Sequence, residues 1–280
     1  VSLEPCTFQG RTPPCVDRVI ASGVSKVVIG AIDPDERVAG SGVAALRDAG
    51  IGVEVVDDSE ARALDPAYFH HRETGQAFVV AKYAMTLDGS IAAVDGTSQW
   101  ITSEKARRDA HALRAEADVV VIGSGTLISD DPRLDVRLEG HEGHQPRPVV
   151  VAGRASLPPA ARIWERNPLV VSTDERPLPG GELLLVSGNG HPDPLETCRA
   201  LAELGFLSVL LEGGPKLTSA WWHAGVIVAG VVYVGSRMGG GAGMSPLHGV
   251  FGTIDDAASV LITSTRKIGD DVRIDFTREA

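Results

Sequence analysis

Residues 119–126 read Val119-Val120-Val121-Ile122-Gly123-Ser124-Gly125-Thr126, an unbroken β-branched run that opens into small residues. Such a run is a strand buried on both faces, as in a parallel sheet covered by helices. Glycines at its exit let a backbone approach a ligand closely. Immediately upstream, Ala106, Ala110 and Leu113 share one face of a helix expected over Ser103 to Glu116, with Thr102 or Ser103 as its N-cap. Outward from this pair, strands are expected at Phe78 to Ala84, Asp118 to Ile122, Pro148 to Ala152, Leu169 to Ser172, Leu183 to Val186, Ser208 to Leu211 and Val226 to Val234. A second helix over Leu195 to Leu204 stops at Gly205. The alternation predicts βαβ crossovers. At the tail, Val260 to Ile268 and Val272 to Phe276 flank Gly269-Asp270-Asp271, a hairpin signal. A mostly parallel sheet with an antiparallel end follows.

The first part of the chain keeps a similar rhythm on a smaller scale. Val16, Val19 and Ile20 share a helical face, Val27-Val28-Ile29 is a strand, Val43, Ala44 and Leu46 begin a helix, and Val53 to Val56 is another strand. Between Asp57 and Gln76 the apolar rhythm lapses into a connecting helix and turn, which sets a domain boundary near residue 72. Residues 1–72 and 73–280 are thus expected to be separate α/β domains. Val1-Ser2-Leu3 already reads as a strand, so the chain is expected to continue upstream.

A formal net charge of -11 would repel a nucleic-acid backbone or an anionic membrane, so an anionic ligand must be met by a local basic cluster. No apolar run is long enough to cross a bilayer, and a cytoplasmic protein is expected. Cys6, Cys15 and Cys198 are an odd set that argues against a disulfide framework.

Several segments are candidates for chemistry. Cys6 and Cys15 each follow a proline, one leaving a strand and one entering a helix, and two thiolates at a helix start suit zinc; two free buried thiols are the alternative. Asp88-Gly89 ends the first strand of the larger part in a turn. Arg107, His111 and Arg114 form a basic stripe on one helix, either solvated or docking a phosphate. Val209-Leu210-Leu211-Glu212-Gly213-Gly214-Pro215 repeats the pattern of the opening stretch: strand, carboxylate, glycines, then a helix whose free amides can hold a phosphate. Ligands gather at such strand ends in open sheets.

LEPCTFQGRTPPC, residues 3–15, resembles the second zinc half-motif of riboflavin-pathway pyrimidine deaminases, members of the cytidine-deaminase-like hydrolases. That resemblance implies Cys6 and Cys15 as zinc ligands. It also implies a third ligand and a general acid/base from a His-Ala-Glu segment that this chain lacks; Phe8 stands where the family usually has histidine. Either an upstream part is not included or this half is a relic scaffold, and the former is expected.

TLDG, SQWITS with ARRDAHALRA, GTLISDDPRLDVR and LEGGP, in that order, resemble the riboflavin-pathway reductase domain, with its dihydrofolate-reductase-like fold, over nearly all of residues 78–280. The resemblance implies hydride transfer from NADPH to the ribose C1′ of a phosphorylated pyrimidine. It places Ala84, Trp100, Thr126, Asp130, Gly153, Gly214, Pro215, Lys216, Leu217, Thr218, Ser219 and Ala220 at the cofactor, and Ser98, Arg114, Leu134, Arg137 and Glu212 at the substrate. Lys82, Asp130 and Glu212 are candidates for orienting the ribose and supplying the proton. Arg154 is a candidate for the 2′-phosphate of NADPH, or is simply a surface arginine. The resemblance further suggests a homodimer through the reductase sheet. The competing readings are a stand-alone pteridine or pyrimidine reductase, and a non-catalytic nucleotide-binding subunit.

Overall fold

β-Branched residues crowd a helix but fit a pleated sheet, and the runs 119–122, 149–151 and 169–171 are accordingly strands whose residues are all buried. The computed structural model describes residues 1–10, 12–249 and 253–279. Two units emerge, Val1–Gly75 and Gln76–Ala280.

In the smaller unit, helix α1 (Cys15–Ala21), strand β1 (Lys26–Ile29), helix α2 (Ser41–Asp48), strand β2 (Gly52–Val55) and helices α3 (Ser59–Arg62) and α4 (Pro66–Thr74) follow one another, with β1 and β2 paired in parallel. Val16, Ile29, Val43 and Leu46 form its core. Val1-Ser2-Leu3 forms a single parallel bridge, Leu3 to Ala31, rather than a full strand. The buried Glu4 carboxylate accepts the amides of Gly40 (2.9 Å) and Val43 (3.0 Å) and so caps α2. Helix α4 runs through residue 72 and ends only at Gly75, whose φ of 72° terminates it. The division therefore falls at 75/76.

The larger unit is built on β3 (Phe78–Thr86), α5 (Glu104–Glu116), β4 (Val119–Gly123), α6 (Ser124–Asp130), β5 (Arg147–Val151), β6 (Leu169–Ser172), β7 (Glu182–Leu185), α7 (Pro194–Glu203), β8 (Ser208–Leu211), α8 (Pro215–His223), β9 (Ile227–Gly235), β10 (Val260–Ile268) and β11 (Asp271–Arg278). Its sheet has the order β10-β11-β9-β3-β8-β4-β5-β6-β7, parallel from β9 to β7 and antiparallel at β11 and β10. This is the mixed α/β sheet expected. The small residues after β4 form the start of α6, with Gly123 as its extended N-cap.

Pleating sorts the strands. Val79, Ala81, Val121 and Leu211 pack with Cys198, Leu201 and Trp221 on one face, whereas Val120, Ile122 and Leu210 pack with Leu127, Leu134 and Ile163 on the other. Helix α5 is fixed to that second face by buried polar contacts. Asp271, nearly inaccessible, accepts the Ser103 amide at 2.7 Å and the Ser236 amide at 3.3 Å, and Asp109 accepts Tyr233 Oη at 2.5 Å and Arg273 Nη1 at 2.7 Å. Among the described residues no helix is long and apolar enough to cross a membrane.

Replacing Asp271 with alanine removes the buried acceptor of the Ser103 and Ser236 amides. A loss of about 2 kcal/mol is expected, read as a fall in melting temperature of roughly 4–8 °C by calorimetry.

Candidate active site

Strands β3 and β8 are parallel neighbours with Ala81 opposite Leu211, so the next residues lie side by side, Lys82 within β3 and Glu212 just past the carboxyl end of β8. Alternation turns both toward the face that α5 covers. Lys82 Nζ is 3.1 Å from Glu212 Oε2. From the last turn of α5, Arg114 donates Nε to Oε1 at 2.6 Å and Nη2 to Oε2 at 3.0 Å, a two-pronged grip, while Nη1 donates to the Asp135 carbonyl at 3.0 Å. Side-chain exposures are only 17% for Lys82, 13% for Arg114 and 10% for Glu212. Burial alone would push the Glu212 carboxyl up; the adjacent Arg114 and Lys82 charges outweigh it and hold the group well below the usual carboxylate range.

Beside this triad the 131–137 loop is tightly determined. Asp131 and Leu134 adopt left-handed φ values of 41° and 55°. For a leucine that conformation costs about 1–2 kcal/mol; complete burial of its side chain in the core offsets it. The Asp135 carboxylate accepts Arg137 Nη1 at 2.6 Å and Arg133 Nε at 3.2 Å, and His111 Nδ1 accepts the Arg137 amide at 3.3 Å. Burial, then the charges of Arg114 and Arg137, lower the His111 pKa to about 4, so its imidazole is neutral at pH 7. The stripe of Arg107, His111 and Arg114 is therefore not one solvated face. Arg107 stacks 4.2 Å over the Trp100 ring, His111 meets the Arg137 amide, and Arg114 grips Glu212. Arg137, 58% exposed, pairs with Asp135 at the surface.

The two glycine-bearing strand ends are adjacent. A Cβ on Gly213 would lie 3.0 Å from Leu217, one on Gly214 3.4 Å from Thr126 Oγ1, and one on Gly123 3.7 Å from Leu217. Helix α8 starts at this cradle with Pro215 in its first turn and no side-chain cap, so its leading amides can meet a phosphate. Lys216 is exposed here, whereas Thr218 and Ser219 turn their hydroxyls to the backbone at Gly213 and Pro215, and Ala220 lies further along the helix. Ala84 lies two residues beyond Lys82 on the same strand, packed near Ala106 and Tyr233. Ser98 and Trp100 line a cavity of about 320 Å³ with Thr86, Ser90 and Arg237. Asp130 is not brought into the charged triad: it is exposed at the end of α6 and accepts Ser129 Oγ at 2.7 Å. Gly153 lies past β5, on the loop beside His191.

Sequence reasoning missed Asp135 and Asp88. The acidic residue between Arg133 and Arg137 was a local signal for the first. Asp88 accepts the Gly239 and Gly240 amides, which hold its carboxyl below the usual range together with the Thr86 hydroxyl; no local pattern marks that long-range contact.

In the smaller unit the Cys15 amide donates to Cys6 Sγ at 3.3 Å, and both thiols are accessible rather than buried. The pair suits one half of a metal site. Among the described residues no group of three potential ligands assembles, so a complete zinc site is not formed by them. Arg37 packs 4.4 Å over the Phe8 ring beside it.

Residues 77–273 match the family described as RibD C-terminal domain. The riboflavin biosynthesis protein RibD of Chlamydia muridarum is 42% identical over 289 residues, 99% of this chain and 78% of that protein. Its Escherichia coli counterpart is 33% identical over 97% of this chain and 79% of its own length. Among solved structures, Acinetobacter baumannii RibD superposes with a TM-score of 0.89 at 31% identity, covering 99% of this chain and 80% of that one. A Thermotoga maritima diaminohydroxyphosphoribosylaminopyrimidine deaminase/5-amino-6-(5-phosphoribosylamino)uracil reductase gives 0.87 at 29% identity, with 99% and 78% covered.

Arg114→Met would leave Glu212 buried beside Lys82 alone. At pH 7 the loss is expected to reach about 3–5 kcal/mol. In the native protein the ionised Glu212 stabilises above the ordinary carboxylate range, and that stabilisation is lost as pH falls toward its depressed folded value. Denaturant titrations should therefore show the variant's deficit shrinking as pH is lowered through the carboxylate range.

Proposed function

The chain belongs to the RibD family of riboflavin biosynthesis proteins, and on that premise we propose that its larger unit is the NADPH-dependent reductase acting on 5-amino-6-(5-phosphoribosylamino)uracil. The observation that carries this reading is the Lys82–Glu212–Arg114 triad lying beside the glycine cradle at the carboxyl end of β8. When bound, NADPH supplies a hydride to C1′ of the ring-opened sugar imine. The cradle of Gly123, Thr126, Gly213 and Gly214, with the amides opening α8, fits its pyrophosphate. Ala84, Trp100, Asp130, Gly153 and the 214–220 segment are the remaining candidates for holding it.

On the substrate side, Ser98 and Leu134 shape the approach and Arg137 takes the sugar phosphate. Arg114 acts one step back, because its donors are committed to Glu212 and the Asp135 carbonyl. Hydride addition leaves the substrate nitrogen needing a proton. Glu212, held as an anion, is the acceptor that orients the ribose hydroxyls and Lys82, and the Lys82 ammonium is the donor to that nitrogen. Asp130, at the rim, orients the ribose from the other side.

For the smaller unit we assign Cys6 and Cys15 as thiolate ligands of zinc, with the set completed by ligands other than the described residues. No deamination step is assigned to the described residues. The proposed partner is a second copy of the chain, docked at β10, the edge of the sheet, where Leu261 and Ile262 are 56% and 59% exposed.

NADPH oxidation should proceed with the deaminated phosphoribosylaminopyrimidine and not with its undeaminated precursor or dihydrofolate; turnover of dihydrofolate alone would overturn the assignment. Glu212→Gln and Lys82→Met are each expected to lower kcat by about 10²–10³. Light scattering during size exclusion should give a dimer mass for the native chain and a monomer mass for Leu261→Glu; a monomeric native chain refutes the edge interface.

A further inference from the structure

Strands β3 and β9 are parallel neighbours with Thr86 opposite Gly235, so the segments that follow them, 87–101 and 236–244, leave the same edge of the sheet. They are fastened to each other. The Leu87 amide donates to the Arg237 carbonyl at 2.7 Å, and Asp88 accepts the Gly239 amide at 3.0 Å and the Gly240 amide at 2.7 Å. Further out, Ala92 and Met244 form an antiparallel bridge, and a Cβ on Gly243 would lie 2.6 Å from the Ser90 side chain and the Ala92 carbonyl. Arg237 therefore sits on a loop pinned on both sides of it. It lines the cavity of about 320 Å³ that Ser98 and Trp100 also line.

Arg237 is the one charged residue among the described residues that line this cavity. Among the same residues, its guanidinium makes no hydrogen bond or ion pair. The carboxylates of the two segments are committed: Asp88 to the glycine amides, and Asp95 to the Thr97 amide at 2.9 Å and hydroxyl at 2.7 Å. The hydroxyl and amide side chains of the cavity, among them Ser90, Ser98 and Gln99, can each donate or accept and so tolerate either kind of ligand group. A guanidinium only donates. Arg237 thus supplies a fork of donors, uncancelled by any neighbour, that can tell an acceptor on a ligand from a donor.

Position identifies which group it reads. Lys82 and Thr86 lie on the same face of β3, roughly 13 Å apart along the strand, and Thr86 lines the cavity, so the cavity continues the line that starts at the Lys82–Glu212 pair. In the reductase reading Arg137 takes the phosphate, C1′ lies at that pair and the cradle after β8 takes the cofactor. The cavity is then left for the pyrimidine ring carried on C1′. The edge of the ring remote from that attachment has a carbonyl at C4 before and after deamination, whereas C2 changes from an amine, which donates, to a carbonyl, which accepts. We propose that Arg237 is a specificity-determining residue, which donates to the C2 carbonyl and so selects the deaminated substrate over its precursor. The inference rests on the reductase reading and extends it to the choice of substrate. With the precursor, guanidinium and amine would meet donor to donor, and both would stay unpaired once water is expelled.

The test is calorimetric titration of the full chain with the deaminated phosphoribosylaminopyrimidine and with its undeaminated precursor, repeated on Arg237→Met and Arg237→Lys. The native protein should bind the deaminated compound at least about tenfold tighter. Arg237→Met should lose most of that margin through weaker binding of the deaminated compound alone, and Arg237→Lys, which keeps a cationic donor, should retain part of it. Both affinities are read on one sample, so their ratio does not depend on the fraction folded. Affinity for NADPH should be unchanged in both variants. An unchanged margin in Arg237→Met, an equal loss for both pyrimidines, as contact with the shared C4 carbonyl would give, or a loss confined to NADPH would overturn the proposal. Failure of the reductase reading is separable: the margin and its loss in Arg237→Met would persist while NADPH was oxidised with neither compound.

Discussion

A carboxylate buried between two cations organises the larger unit. Glu212 is removed from water at the end of a central strand, where a lone negative charge would be untenable. Arg114 and Lys82 satisfy it from α5 and β3, so the helix and two strands must meet at one point with hydrogen-bond accuracy. Removing either cation leaves the buried carboxylate with a single partner and some of its hydrogen bonds unmade, which costs more than the loss of a surface pair.

The rest of the architecture serves that point. Strand pleating puts Lys82 and Glu212 on the α5 face. Asp271 and Asp109 hold the start and middle of α5, fixing the register from which Arg114 reaches in. The 131–137 loop tolerates a left-handed Leu134 because its side chain is locked in the core, and the same loop gives Arg114 a carbonyl and holds Arg137 at the surface. Charge, packing and backbone strain converge at one sheet edge, the proposed site of the phosphorylated substrate and the dinucleotide.

Much of this was legible in residue order. Unbroken valine runs marked the parallel strands, Ser103 marked the start of α5, and Gly269-Asp270-Asp271 marked the antiparallel hairpin. Lys82 and Glu212 were grouped by the family resemblance, but their direct ion pair depends on strand register that residue order does not show. What stayed hidden depended on contacts distant in sequence. Arg114 belonged to a stripe read as either solvated or docking a phosphate, because helical spacing cannot tell which arginine faces a buried carboxylate 98 residues away. Likewise the resemblance placed Gly153 at the cofactor, but no local pattern showed that the His191 ring of another loop fills the space where its Cβ would lie.

The proposed role of Lys82 as proton donor requires that Glu212 be held as an anion by the Arg114 and Lys82 charges. Carbon-13 NMR of the glutamate carboxyls, with Glu212 assigned by comparison with Glu212→Gln, tests this directly. Its resonance should stay at the ionised position from about pH 8 to about pH 5, above the ordinary carboxylate range. A titration step centred between those limits would reveal a carboxyl whose burial outweighs its cations, and would contradict the assignment of the proton to Lys82.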